Sequence, residues 1–238
     1  MKGKLYGVGV GPGDPDLLTI KAKDIINGVD VLFCPVKGDK SESFAYAIVE
    51  PHLHNKDVEI VDLTYIMNYK WNEIEDQWQK NAKIIESHLA KGKRCAFITL
   101  GDPTVYSTFM YTLERIAMTD YELEIIPGIT SFCATAAVFG KPLTAWQETL
   151  KIIPVRKNDS AHLRDQIANE DNLVLMKPSN DASTIVGALE ELGLTKNFKM
   201  ISKVGTPAES IVDDIEQLKN TKIPYLSTMI IKKGGFND

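Results

Sequence analysis

With 238 residues, 44% of them apolar and 25% charged, the chain has ordinary globular composition and room for one large or two modest domains. Its 27 basic and 32 acidic side chains leave a formal charge of −5, which excludes general attraction to nucleic acid or anionic lipid and requires any anionic ligand to be met by local cations. No apolar run reaches the length of a membrane span and no signal peptide opens the chain, so the expected location is cytoplasmic, with no membrane partner.

The first expected strand, 4–10, empties into Gly11-Pro12-Gly13-Asp14-Pro15. The dinucleotide fingerprint G-x-G-x-x-G fails there, because its last position falls on Pro12 or Asp14, and no ribose-binding acid closes the next strand. Asp14 is instead the expected N-cap of a helix over 15–27, with Pro15 at its first position and Gly28 at its end. That turn leaves Gly7, Gly9 and Gly11 unexplained, since glycine in a strand costs about 0.5–1 kcal/mol relative to alanine. Something must come close to that backbone.

Strands over 29–34, 58–63, 94–100 and 121–126 then alternate with helices over 41–50, 72–91, 104–118 and 130–139. This βα alternation predicts an α/β fold whose N-terminal sheet is mostly parallel. After Gly140-Lys141-Pro142 the pattern changes: strands at 150–155, 172–176, 198–204 and 225–231 are separated by helices near 159–169, 181–192 and 208–218. A second, smaller α/β domain with a mixed sheet is expected there. The boundary is placed near 142–149, giving domains 1–143 and 144–238.

Three expected strand ends carry unusual chemistry: Gly11-Pro12-Gly13-Asp14-Pro15, Gly101-Asp102-Pro103 and Pro127-Gly128-Ile129-Thr130-Ser131. Each alone is ordinary turn punctuation, but Gly-Asp-Pro recurs at 13–15 and 101–103, and ligands of open α/β sheets bind beyond the carboxyl ends of strands. Other chemistries lack their signatures, with no G-x-x-x-x-G-K-[ST], G-x-S-x-G or H-E-x-x-H. Cys34, Cys95 and Cys133 read as small core residues, and His52, His54, His88 and His162 form no ligand pair, so no protein-bound metal is expected. An enzyme without those groups does best with a substrate that is already activated.

From "GKLYGVGVGPGDPDLLTIKA" through "GDP" and "IPGITS" to "VLMK" and the closing strand, the chain resembles the tetrapyrrole (corrin/porphyrin) methylases. The resemblance implies S-adenosylmethionine as methyl donor, two α/β domains with an interdomain cofactor cleft, an anionic tetrapyrrole substrate and a homodimer. "FITLGDPTVYSTFMY" and "VLMKPS" look most like the members that methylate C20 of precorrin-2 or cobalt-factor II in cobalamin biosynthesis. Other regiochemistries of the family and the diphthine synthases match less closely. Carried over by position, the cofactor bed is Pro12, Leu100, Gly101, Asp102, Val105, Thr130, Ser131 and Met176, with Thr206 and Leu226 as weaker transfers. The glycine loop is implied to line the trough for the flat ring.

Asp14, Asp102 and Tyr106 are the catalytic candidates, as bases of modest strength or groups seating the ring. Lys37, Lys40, Arg156, Lys177 and Lys203 are candidate partners for substrate carboxylates. Trp71, Trp78, Tyr65, Tyr69 and Phe109 make the implied dimer plausible. Two departures from the family are Tyr65-Ile66-Met67 at the lip of the trough and Gly28-Val29 before Asp30. A nucleotide-dependent enzyme and a non-catalytic tetrapyrrole carrier stay open as rivals, the first binding ADP or NAD, the second ignoring S-adenosylmethionine.

Overall fold

A computed structural model describes residues 2–38, 41–66 and 71–236. The chain divides into two compact units, Met1–Thr130 and Ser131–Asp238.

The first unit holds five parallel strands, β1 (Lys4–Gly9), β2 (Val31–Val36), β3 (Glu59–Thr64), β4 (Arg94–Thr99) and β5 (Glu122–Ile126), in the order β3-β2-β4-β1-β5. β1 and β4 are neighbours whose next strands lie on opposite sides, which makes their carboxyl ends a topological switch point. One face of the sheet buries Val8, Leu32, Ala96 and Ile98 against α1 (Ile20–Gly28) and α2 (Phe44–Val49). The other buries Leu5, Phe33, Cys95 and Phe97 against α3 (Trp71–Leu89) and α4 (Thr108–Leu113). The two sets follow the period-2 alternation of the strands. α3 offers this core a stripe of Asn81, Ala82, Ile85 and Leu89, the i, i+4, i+8 pattern of an amphipathic helix.

Three expected helices start four or more residues later than their sequence suggests, each at a later cap. Asp14 caps only the short 3-10 turn Pro15–Leu17, and Thr19, whose hydroxyl accepts from the Ala22 N–H, opens α1. The helix expected over 104–118 shrinks to α4, because Tyr106 has φ +49° and Ser107 supplies the cap. The helix expected over 208–218 is replaced by β9 (Ser210–Val212), paired with β8, and by α8 (Ile215–Asn220), which begins where Asp214 caps it.

In the second unit, α5 (Ser131–Phe139) packs on β10 (Ser227–Lys232), so the compact units divide ahead of 142–149. The mixed sheet runs β6 (Leu150–Pro154), β7 (Asn172–Met176), β10, β8 (Phe198–Ser202), β9, with only β6 and β7 parallel. α6 (Ser160–Asn169) and α7 (Ala182–Glu191) close its core around Leu175, Ile185, Phe198 and Met229. Among the described residues, no helix is long and apolar enough to cross a membrane.

Candidate functional site

The glycines of the first strand are required by the protein's own atoms. A Cβ on Gly7 would overlap the Phe109 ring, and one on Gly9 would lie 2.6 Å from both the Gly101 carbonyl and the Gly128 N–H. A Cβ on Gly128 would overlap the Gly101 carbonyl. Gly11 (φ +82°) and Gly101 (φ +67°) are left-handed and form an antiparallel bridge, the Gly101 N–H donating to the Gly11 carbonyl at 2.8 Å. The close approach expected at this backbone is thus made by neighbouring strand ends and Phe109, whichever molecule then covers the loop.

Asp102 ties these ends together. One carboxylate oxygen accepts from the Gly128 N–H at 3.0 Å, and the other from the Thr104 N–H at 2.8 Å and the Thr104 hydroxyl at 2.5 Å. Thr99 and Ser107 close the same turn with a hydroxyl pair at 2.9 Å. With both oxygens held by donors, Asp102 is suited to positioning rather than proton abstraction. Among the described residues, Asp14 uses only one oxygen, which accepts from the Asp16 N–H at 2.9 Å. Tyr106 follows on the same turn, 42% exposed.

Asp14, Pro12, Leu100, Gly101, Asp102, Val105 and Tyr106 therefore belong to two loops joined by the Gly11–Gly101 bridge, and Thr130 follows β5 at the same end of the parallel sheet. Two of them hold polar groups in need of a partner. The Thr130 hydroxyl is shut from solvent and has no hydrogen-bond partner among the described residues. The backbone of half-buried Leu100 likewise makes no hydrogen bond among them. Both fit a ligand rich in hydrogen-bonding groups.

In the second unit, Ser131 opens α5 and its hydroxyl accepts from Thr228 at 3.1 Å. Met176 ends β7, Leu226 precedes β10 and accepts the Lys203 N–H at 2.7 Å, and the Thr206 hydroxyl donates to the Lys203 carbonyl at 2.8 Å. Met176, Thr206 and Leu226 thus share one end of the second sheet, with Arg156, Lys177 and Lys203 on adjoining turns. Lys37 lies over the Phe44 ring, while Lys40, Met67 and Tyr69 fall outside the described residues.

Of the remaining aromatics, Tyr65 and Phe109 are core residues rather than surface, and burial pushes the Tyr65 hydroxyl well above the usual phenol range. Burial also pushes the Cys34 and Cys95 thiols up to about 12. Cys133 differs from the expected core cysteine, being exposed on α5. Among the described residues, no His, Cys, Asp and Glu group could hold a metal ion. Sequence reasoning missed Phe109 as the residue that fills Gly7, and Gly128 as the partner of Gly9. The only trace of the second was the Pro-Gly pair itself.

A parallel sheet whose switch-point loops are glycine-built and cross-braced, joined in sequence to a mixed-sheet unit, defines a class of two-domain ligand-binding α/β proteins. Residues 4–219 match the model of the tetrapyrrole (corrin/porphyrin) methylases, and the chain belongs to that family. It is 32% identical to the cobalt-precorrin-2 C(20)-methyltransferase of Salmonella typhimurium, over 98% of each chain. It is 37% identical to the probable cobalt-precorrin-2 C(20)-methyltransferase of Methanocaldococcus jannaschii, over 97% of this chain and 96% of the relative. The Thermus thermophilus uroporphyrin-III C-methyl transferase complexed with S-adenyl homocysteine shares the fold, with TM-score 0.69 and 21% identity over 97% of each chain.

Proposed function

We propose that the protein transfers the methyl group of S-adenosylmethionine to C20 of precorrin-2 or of its cobalt-bearing counterpart, in cobalamin biosynthesis. The observation that carries this reading is end-to-end likeness to relatives bearing the C20 name. The strand-end brace supports it, because the chemistry asks the protein chiefly for rigid positioning.

The sulfonium of the donor supplies an electrophilic methyl group without help from the protein. The chain's task is to hold donor and acceptor carbon in line and to keep water out. Asp102 serves as a positioning residue, fixing the 101–105 turn against Gly128. Tyr106, projected by its left-handed backbone, seats the ring. Asp14, with one carboxylate oxygen left without a donor among the described residues, is the proposed acceptor of the C20 proton. Pro12, Leu100, Gly101, Val105 and Thr130 of the first unit are the proposed cofactor contacts, Leu100 through its backbone and Thr130 through its hydroxyl. Ser131, Met176, Thr206 and Leu226 of the second unit are proposed contacts tested separately.

Incubation with S-adenosylmethionine carbon-13-labelled in its methyl group, and with either substrate, tests the reading. One labelled methyl at C20 by NMR is expected; label at C11, C17 or a ring nitrogen would refute the regiochemistry and leave the family intact. Comparing the two substrates also decides the cobalt question. A cytoplasmic homodimer goes with this reading, supported by exposed Trp71 beside the stacked pair Trp78 and Tyr111. Light scattering at a monomer mass of 26.5 kDa would reject the dimer.

A further inference from the structure

Among the described residues, some cations of the second unit are paired with acids and others, Lys196, Lys222 and Lys233 among them, are not. Lys151, Arg164, Lys199, Lys219 and Lys232 each meet a carboxylate. Arg156, Lys177 and Lys203 meet none among the described residues. All three follow the carboxyl ends of strands, β6, β7 and β8 in turn. Because β6 is parallel to β7, and β7 and β8 are both antiparallel to β10, these ends lie along one edge of the sheet. The edge is tied laterally, Val155 donating to the Met176 carbonyl at 2.8 Å and Lys203 to that of Leu226 at 2.7 Å.

Lys177 and Lys203 are both left-handed, with φ +57° and +53°, a conformation that ordinarily belongs to glycine. They flank β10, so strand spacing sets their backbones about 10 Å apart. Lys177 is half-buried, and its ammonium faces the Tyr225 ring at 6.0 Å. Burial there lowers its pKa below the usual lysine value. Acidic groups on nearby turns are already engaged: Asp181 accepts from Ser160 and Thr184, and Glu209 accepts from the Gly205 N–H at 2.7 Å. A partly desolvated ammonium with no counter-ion is costly, and a bound carboxylate offsets that cost with a charge-assisted hydrogen bond.

We propose that this edge of the second sheet is a carboxylate-binding site, with Lys177 and Lys203 as its grips and Arg156 at its margin. The proposal rests on the methyl-transfer reading, whose two ligands both carry the required chemistry: the amino-acid carboxylate of S-adenosylmethionine and the acid side chains of the tetrapyrrole.

The test is calorimetry on the full chain with four probes: S-adenosylmethionine, its decarboxylated analogue, uroporphyrin with eight carboxylates and coproporphyrin with four. Lys177→Gln and Lys203→Gln are compared with Lys177→Arg, which keeps the charge, and with Lys196→Gln, an exposed lysine ahead of β8 at the opposite edge. Thermal melting confirms that each variant folds. The glutamine variants are expected to weaken a carboxylate ligand about tenfold or more, the scale of a hydrogen bond to a charged group, while the two controls bind as wild type. Loss confined to S-adenosylmethionine, with its decarboxylated analogue unaffected, assigns the amino-acid carboxylate. Loss for uroporphyrin exceeding that for coproporphyrin assigns the tetrapyrrole. Wild-type binding with unchanged Lys177→Gln and Lys203→Gln overturns this proposal alone. Wild-type protein that neither binds S-adenosylmethionine nor transfers its methyl group overturns the functional reading and this proposal with it.

Discussion

The ends of the two sheets solve different problems. In the first unit, backbone meets backbone: Gly9 and Gly128 leave no room for a Cβ beside the Gly101 carbonyl, and Asp102 spends both carboxylate oxygens on the chain itself. In the second unit, long cationic side chains leave left-handed turns and find no acid among the described residues. Close packing with satisfied donors makes a rigid frame, whereas unpaired charge makes a recognition surface that is completed only by a ligand. The contrast suggests a division of labour, with geometry held by the first unit and charge read by the second.

The most damaging way to break the frame is Gly128→Ala, whose Cβ would overlap the Gly101 carbonyl. Because backbone must move on both sides, a loss of about 3 kcal/mol or more is expected in urea unfolding, together with loss of cofactor binding. Gly7→Ala is gentler, since its Cβ meets a side chain, the Phe109 ring. It should cost about 1–3 kcal/mol, and Phe109→Leu, which clears the space, should restore part of that in the double mutant. Asp102→Asn keeps an oxygen for Thr104 but presents an amide to the Gly128 N–H, so a loss of about 1–3 kcal/mol is expected in the same unfolding experiment.

Lys177→Gln removes a partly desolvated ammonium that meets no carboxylate among the described residues, so stability should hold to within about 0.5 kcal/mol or rise, and the variant sharpens the contrast by affecting binding alone. Smallest of all, a thiol reagent should label Cys133 in the native protein, while buried Cys34 and Cys95 react only on unfolding, with mass spectrometry locating the label.

How much of this was legible in the sequence follows from the range of the interactions. The βα alternation and period-2 burial are local, so the parallel sheet and the mixed second sheet could be read directly. β9 could not, because Ser210–Val212 is too short to show a period and owes its strand state to pairing with β8. The strand-end glycines drew attention as a cost without a cause. Their cause lies in Phe109 and Gly128, more than a hundred residues away in sequence and adjacent only once the sheet has formed. The left-handed positions Tyr106, Lys177 and Lys203 are not themselves glycine or asparagine, so the residue at each gives no sign of its conformation.

The division of labour is tested most directly by steady-state methyl transfer with Asp102→Asn and Lys177→Gln measured side by side. Loosening the frame should lower kcat, while removing the cation should raise KM for the carboxylate-bearing ligand about tenfold with kcat retained. A Lys177→Gln enzyme that loses kcat at unchanged KM, or an Asp102→Asn enzyme with wild-type kcat, would contradict it.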